Sequence, residues 1–242
     1  MIRLVRLYTW AGVLELLRYP SYSVPTLLFP TVIFAVFGSR QKAAPPEALL
    51  ASYAGLALLG IAFFQFGVGI AAERATPWQR FVRVLPAPPS ARIAARFLSA
   101  LVFGAGACVP LFVLAFATTG VRLAAREWVA LPAVLLLGAA PFALFGVAIG
   151  YWSSPKGALP VANVVYLSLS YLGGLWTASQ HLPGALSGTS AWLPTRLWGG
   201  LLTASVGDGA WSWRAAALIG YAALFGWLAV WGFRRDEGAR FG

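Results

Sequence analysis

Apolar residues in this chain form long runs separated by short polar breaks. The runs Tyr22 to Gly38, Leu49 to Ala72, Phe97 to Thr118, Trp128 to Trp152, Ala158 to Thr177 and Trp213 to Phe233 contain no Asp, Glu or Lys. A helix needs about 20 apolar residues to cross the roughly 30 Å hydrocarbon core of a bilayer. The pattern therefore predicts an all-α integral membrane protein with six transmembrane helices, forming one transmembrane domain over residues 1–242. The first run carries Pro25 and Pro30 and is the shortest. Ahead of it, residues 1–20 read as an interfacial helix, with Leu4, Leu7, Tyr8 and Ala11 on a face that Arg3 and Arg6 avoid, although Glu15 and Arg18 fall back near it. A plain cytoplasmic extension of the first span is the alternative. Glu15 and Arg18 interrupt the apolar stretch, so a cleavable signal peptide is not expected.

Composition agrees with the pattern. Hydrophobic residues make up 60% and charged residues 10%, with a mean hydropathy of +0.75, whereas soluble domains carry about 25% charged residues. The net charge of +11 would suggest nucleic acid in a soluble protein, but its distribution is that of a membrane topology signal. Lys and Arg favour cytoplasmic loops. With both termini in the cytoplasm, that side holds Arg3, Arg6, Arg18, Arg74, Arg80, Arg83, Arg92, Arg96, Lys156, Arg234, Arg235 and Arg240. The outer side holds Arg40, Lys42, Arg122, Arg126, Arg196 and Arg214. No nucleic-acid partner is expected.

Catalytic chemistry is hard to find. Cys108 and His181 are the single residues of their kinds, which excludes a CxxC pair and offers no set of three or four metal ligands. There is no GxSxG, HExxH or GxxxxGK[ST] motif, so no ATP site of the P-loop kind. Coupled carriers keep ionisable residues within the membrane, and the runs hold none in mid-span. Two alternatives to an externally powered membrane domain remain: a proton-coupled secondary carrier, and an intramembrane enzyme or assembly factor.

Between the second and third runs lies ERATPWQRFVRVLPAPP, residues 73–89. Thr76 is placed to cap a short helix, Pro77 suits its first position, Gln79 completes a T-x-x-Q capping box, and Pro86 ends it. Trp78, Phe81, Val82 and Leu85 recur at helical spacing on one face, with Arg80 and Arg83 away from its centre. Such a helix suits either docking to a soluble partner or anchoring at the lipid surface.

Glu73, Arg74 and Thr76 opening this loop, Pro86 closing it, the stretch VANVVYLSLSYLGGLW at 161–176, and the Leu-Pro pairs at 182–183 and 193–194 together resemble the ABC type-2 transporter permeases. Pro77, Arg96 and Arg196 depart from the usual pattern. The resemblance implies a multi-pass permease of the inner (plasma) membrane that pairs with a second permease subunit, as a homodimer or heterodimer, and with two copies of an ABC ATPase subunit. ATP and Mg would be bound by that ATPase, leaving no cofactor in this chain. It also implies that residues 77–85 form a coupling helix, with Glu73, Thr76, Trp78, Arg80, Phe81, Arg83 and Leu85 meeting the ATPase. Residues 178–212 would form an extracellular re-entrant segment with Leu193, Leu197, Trp198 and Leu201 on one of its helices. The pathway would be lined by Phe63, Phe64, Gln65, Asn163, Tyr166, Ser170 and Tyr171, which suits an amphipathic or hydrophobic passenger such as a drug, lipid or lipopeptide. The same residues also suit ordinary helix packing, as does the GVAIG stretch at 146–150.

Overall fold

The computed structural model describes residues 2–38, 41, 44–76, 89–176, 188, 190–207, 209 and 212–241. Its elements are α1 (Ile2–Leu17), α2 (Pro20–Val36), α3 (Pro46–Arg74), α4 (Pro89–Thr118), α5 (Glu127–Trp152), α6 (Ala158–Leu172), α7 (Pro194–Ser205) and α8 (Ser212–Phe241). No strand occurs among the described residues.

The expected six spans are corrected by helix length. Among the described residues, four helices are long and apolar enough to cross a membrane: α3, the Ile93–Thr118 part of α4, α5, and the Trp213–Asp236 part of α8; the count rises to five if α1 and α2 together make one broken span. Those two meet at 89°. Pro20 causes the break: it lacks a backbone N–H, and it pushes Tyr19 to φ −104, ψ 82, outside the helical region. Alone, α2 has 17 residues and reaches about 26 Å at 1.5 Å per residue. The run from Ala158 to Thr177 is cut short for a similar local reason. Gly174 adopts φ +73, a left-handed conformation that ends a helix at little cost only in glycine. The resulting α6 has 15 residues, or about 22 Å.

The bundle is organised around α3, whose apolar window is 72% buried, against 28% for α4 and 22% for α8. Around it, Phe34 meets Tyr53 edge-on at 5.3 Å, and Phe63 meets Phe142 and Phe145 at 6.4 and 5.6 Å. The Phe145 ring also stacks on Phe225 of α8 at 4.4 Å. Within the segment expected to hold short helices, α7 is buried in the bundle through Leu197, Trp198 and Leu201. Trp198 donates its indole N–H to the Val134 carbonyl at 3.0 Å. It fits against Gly138, where a Cβ would lie 2.0 Å from Nε1.

On α1, the packed face is not the one formed by Leu4, Leu7 and Ala11, which are exposed. Val13 is buried, Ser99 donates to the Thr9 carbonyl at 3.2 Å, and a Cβ on Gly12 would stand 3.1 Å from the Ser99 hydroxyl. This helix lies on α4 by Thr9, Gly12 and Val13. Its larger apolar side chains point outward.

Candidate functional site

The last turn of α3 forms a charged knot that fixes the start of the 73–89 loop. Arg74 donates to the carbonyls of Gly150, Tyr151 and Ser153 at 2.6, 3.1 and 3.3 Å, and pairs with the Asp236 carboxylate of α8. The carbonyls closing α5 have no partner within the helix itself, so the guanidinium caps α5 as it binds α8. Arg74 also lies over the Tyr151 ring at 5.4 Å. Next to it, Glu73 pairs with Arg96 of α4. Thr76 donates its hydroxyl back to the Glu73 carbonyl at 2.7 Å. Both ends of the loop are therefore tied to the bundle: its start through Arg74 and Glu73, and α4, which follows it, through Arg96. Trp78, Arg80, Phe81, Arg83 and Leu85 lie outside the described residues.

In the middle of α3, residues Ala62–Val68 form a π-helical segment. One extra residue per turn rotates the side chains that follow, and such segments often mark functional positions. Here the segment carries three of the expected pathway residues. Phe63 is wholly buried against α5, whereas Phe64 is half-buried and meets Tyr166 of α6 edge-on at 5.6 Å. Gln65 is buried, and its Oε1 finds no hydrogen-bond donor among the described residues. On α6, Tyr166 is buried and donates to the Leu56 carbonyl at 3.5 Å, while Ser170 is buried and donates to Leu167 at 3.1 Å. Asn163 is half-buried and Tyr171 is exposed. The structure thus joins Phe64 to Tyr166, and turns Phe63 into the chain's own core.

GVAIG at 146–150 is a contact seam. A Cβ on Gly146 would lie 2.1 Å from the Ala62 carbonyl oxygen, and one on Gly150 would lie 2.9 Å from that of Gly67. The absence of side chains lets α5 press backbone to backbone against the π-helical segment, the close approach small residues permit in membranes.

Sequence reasoning placed Glu73 in the site and missed the cross-chain roles of Arg74, Arg96 and Asp236. Asp236 sits 162 positions from its partner, and the only local signal was an acid within the basic tail RRDEGAR. Among the described residues no group of three or more His, Cys, Asp or Glu is placed to hold a metal ion.

Over 230 residues, covering 92% of this chain and 94% of the relative, the sequence is 24% identical to YvfS of Bacillus subtilis (strain 168), a protein assigned as a transport permease. Residues 3–205 match the ABC-2 type transporter family model. With its multi-pass, all-α, membrane-embedded bundle, this chain belongs to the ABC-2 type transporter family.

Proposed function

We propose that this chain is the permease subunit of an ABC exporter, driven by two copies of a separate ATPase and paired with a second permease subunit in the inner (plasma) membrane. The observation that carries this reading is the anchored loop. Arg74 and Glu73 fix its start to α5, α8 and α4, so movement imposed on residues 77–85 has a rigid route into the bundle. The end carrying Arg74, Arg96, Lys156, Arg234 and Arg235 faces the cytoplasm, where basic residues accumulate and an ATPase waits. Residues 77–85 are the coupling helix, with Trp78 and Phe81 as anchors and Arg80 and Arg83 at the rim. An amphipathic or hydrophobic passenger suits the uncharged, aromatic and hydroxyl-bearing surface of Phe64, Asn163 and Tyr171.

Detergent pull-down of the ATPase by purified variants tests the reading. Losing a buried aromatic anchor costs about 2 kcal/mol, close to thirtyfold in affinity, whereas an exposed ion pair contributes about 0–1 kcal/mol. Phe81→Ala or Trp78→Ala should release the ATPase or uncouple hydrolysis from transport, and Arg80→Ala should do much less. Cross-linking from position 81 should capture the ATPase. Retained binding without a cross-link would make the segment a lipid-surface anchor and overturn the assignment.

A further inference from the structure

At the end of the bundle opposite Arg74, a cavity of about 650 Å³ opens between the start of α3, the turn after α6, and helices α7 and α8; its lining includes Gln41, Ser52, Trp176, Arg196, Thr203 and Arg214. We infer that this cavity is an anion site in which Arg196 of α7 and Arg214 of α8 together hold a phosphate group, either free or as the headgroup of an anionic lipid. The inference does not depend on the ATPase partnership.

Two features point to this ligand. Neither arginine is ion-paired with a carboxylate among the described residues; the ion pairs there involve Arg74, Arg96 and Arg126. Two half-buried arginines nonetheless line the same cavity. Gly200 stands one turn after Arg196, and a Cβ there would lie 3.1 Å from both Cζ and Nε of Arg214. Arg214 therefore lies flat across α7 in the space any other residue would fill. Burial and the charge of Arg214 pull the Arg196 pKa below its ordinary value, the direction expected for like charges held close without a counter-ion.

The donor set favours phosphate. One planar guanidinium fork already satisfies both oxygens of a carboxylate, whereas two forks suit the several oxygens of a tetrahedral group. The cavity volume lies within the range of small-ligand pockets and exceeds what a bare phosphate needs, leaving room for the glycerol portion of a headgroup.

The test uses the full chain in neutral detergent, with thermal midpoints measured against inorganic phosphate and native mass spectrometry comparing bound phosphatidylglycerol with phosphatidylcholine. Wild type should bind at least one phosphate source saturably. Arg196→Gln and Arg214→Gln should each weaken it about tenfold, in line with losing a charged hydrogen bond. Gly200→Leu, which keeps both charges and only displaces a flexible side chain, should weaken it similarly. Arg122→Gln, which removes an exposed charge at the same end, should change nothing. A response to inorganic phosphate identifies a site open to the free ion; a response to phosphatidylglycerol alone identifies the lipid headgroup as the source. If wild type discriminates neither phosphate nor phosphatidylglycerol, or if Arg122→Gln matches Arg196→Gln, general charge attraction explains the binding and the site is overturned.

Discussion

At Gly146 a single methyl group decides how closely two helices approach. Its Cβ would meet the Ala62 carbonyl at 2.1 Å, and a backbone oxygen cannot swing aside as a side chain can. Gly146→Ala should therefore force α5 from α3 and cost about 1–3 kcal/mol, as overpacking commonly does. Gly220→Ala, with no atom within 4 Å of the added Cβ, should be neutral or stabilise by up to about 1 kcal/mol. Equal detergent thermal midpoints for the two variants would show that the seam is not limiting. A second contrast concerns Arg74. It serves three carbonyls as well as Asp236, so Asp236→Ala leaves it three acceptors, while Arg74→Ala removes the cap of α5 altogether. The arginine change should lower the midpoint more. The reverse order would move the dominant interaction to Asp236. From sequence, GVAIG and the Glu73-Arg74 pair were visible as patterns, but their partners were not, because spacing along one helix does not reveal which distant backbone it meets.

Helices were legible where apolar length alone specified them. The runs 49–72, 97–118, 128–152 and 213–233 fall within α3, α4, α5 and α8. Hydropathy failed where a backbone conformation intervened, at the Tyr19-Pro20 break and at Gly174, because window averages do not register φ and ψ. It also could not show the π-helical segment in α3, which sets Phe63 and Phe64 on different neighbours. That segment makes Gln65 informative. Its buried Oε1 lacks a donor among the described residues, and such a group commonly costs about 1–3 kcal/mol. Gln65→Leu should hold or raise stability. If Gln65 lines the pathway, the same variant should change passenger preference in reconstituted transport. Unchanged transport of every passenger, with normal folding, would assign it to helix packing alone.

Across the whole molecule, the charged contacts at the Arg74 end sort into two kinds with different consequences. Arg74 and Asp236 are largely shielded, with side-chain exposures of 18% and 8%, and they join helices whose paired residues lie 162 positions apart. Glu73 and Arg96 are more open, at 48% and 24%. The first pair should hold the bundle together. The second, which bridges the two sides of the loop, is worth about 0–1 kcal/mol as a surface ion pair, too little to be a main source of stability. Its place suits keeping α3 and α4 in step when the loop is pushed. If a separate ATPase drives this chain as proposed, Glu73→Gln should leave stability, read from the thermal midpoint, within about 1 kcal/mol of wild type while lowering the amount of passenger moved per ATP hydrolysed. Glu73→Arg should lower it further by placing like charges together. Adding Arg96→Glu to that variant should recover part of the loss, because the exchanged pair restores the attraction across the loop with its polarity reversed. Measuring transport and hydrolysis on the same proteoliposomes separates this from simple loss of assembly. If transport and hydrolysis fall in proportion, or if the exchanged pair recovers nothing, the contact does not transmit motion and Arg74 alone links the loop to the bundle.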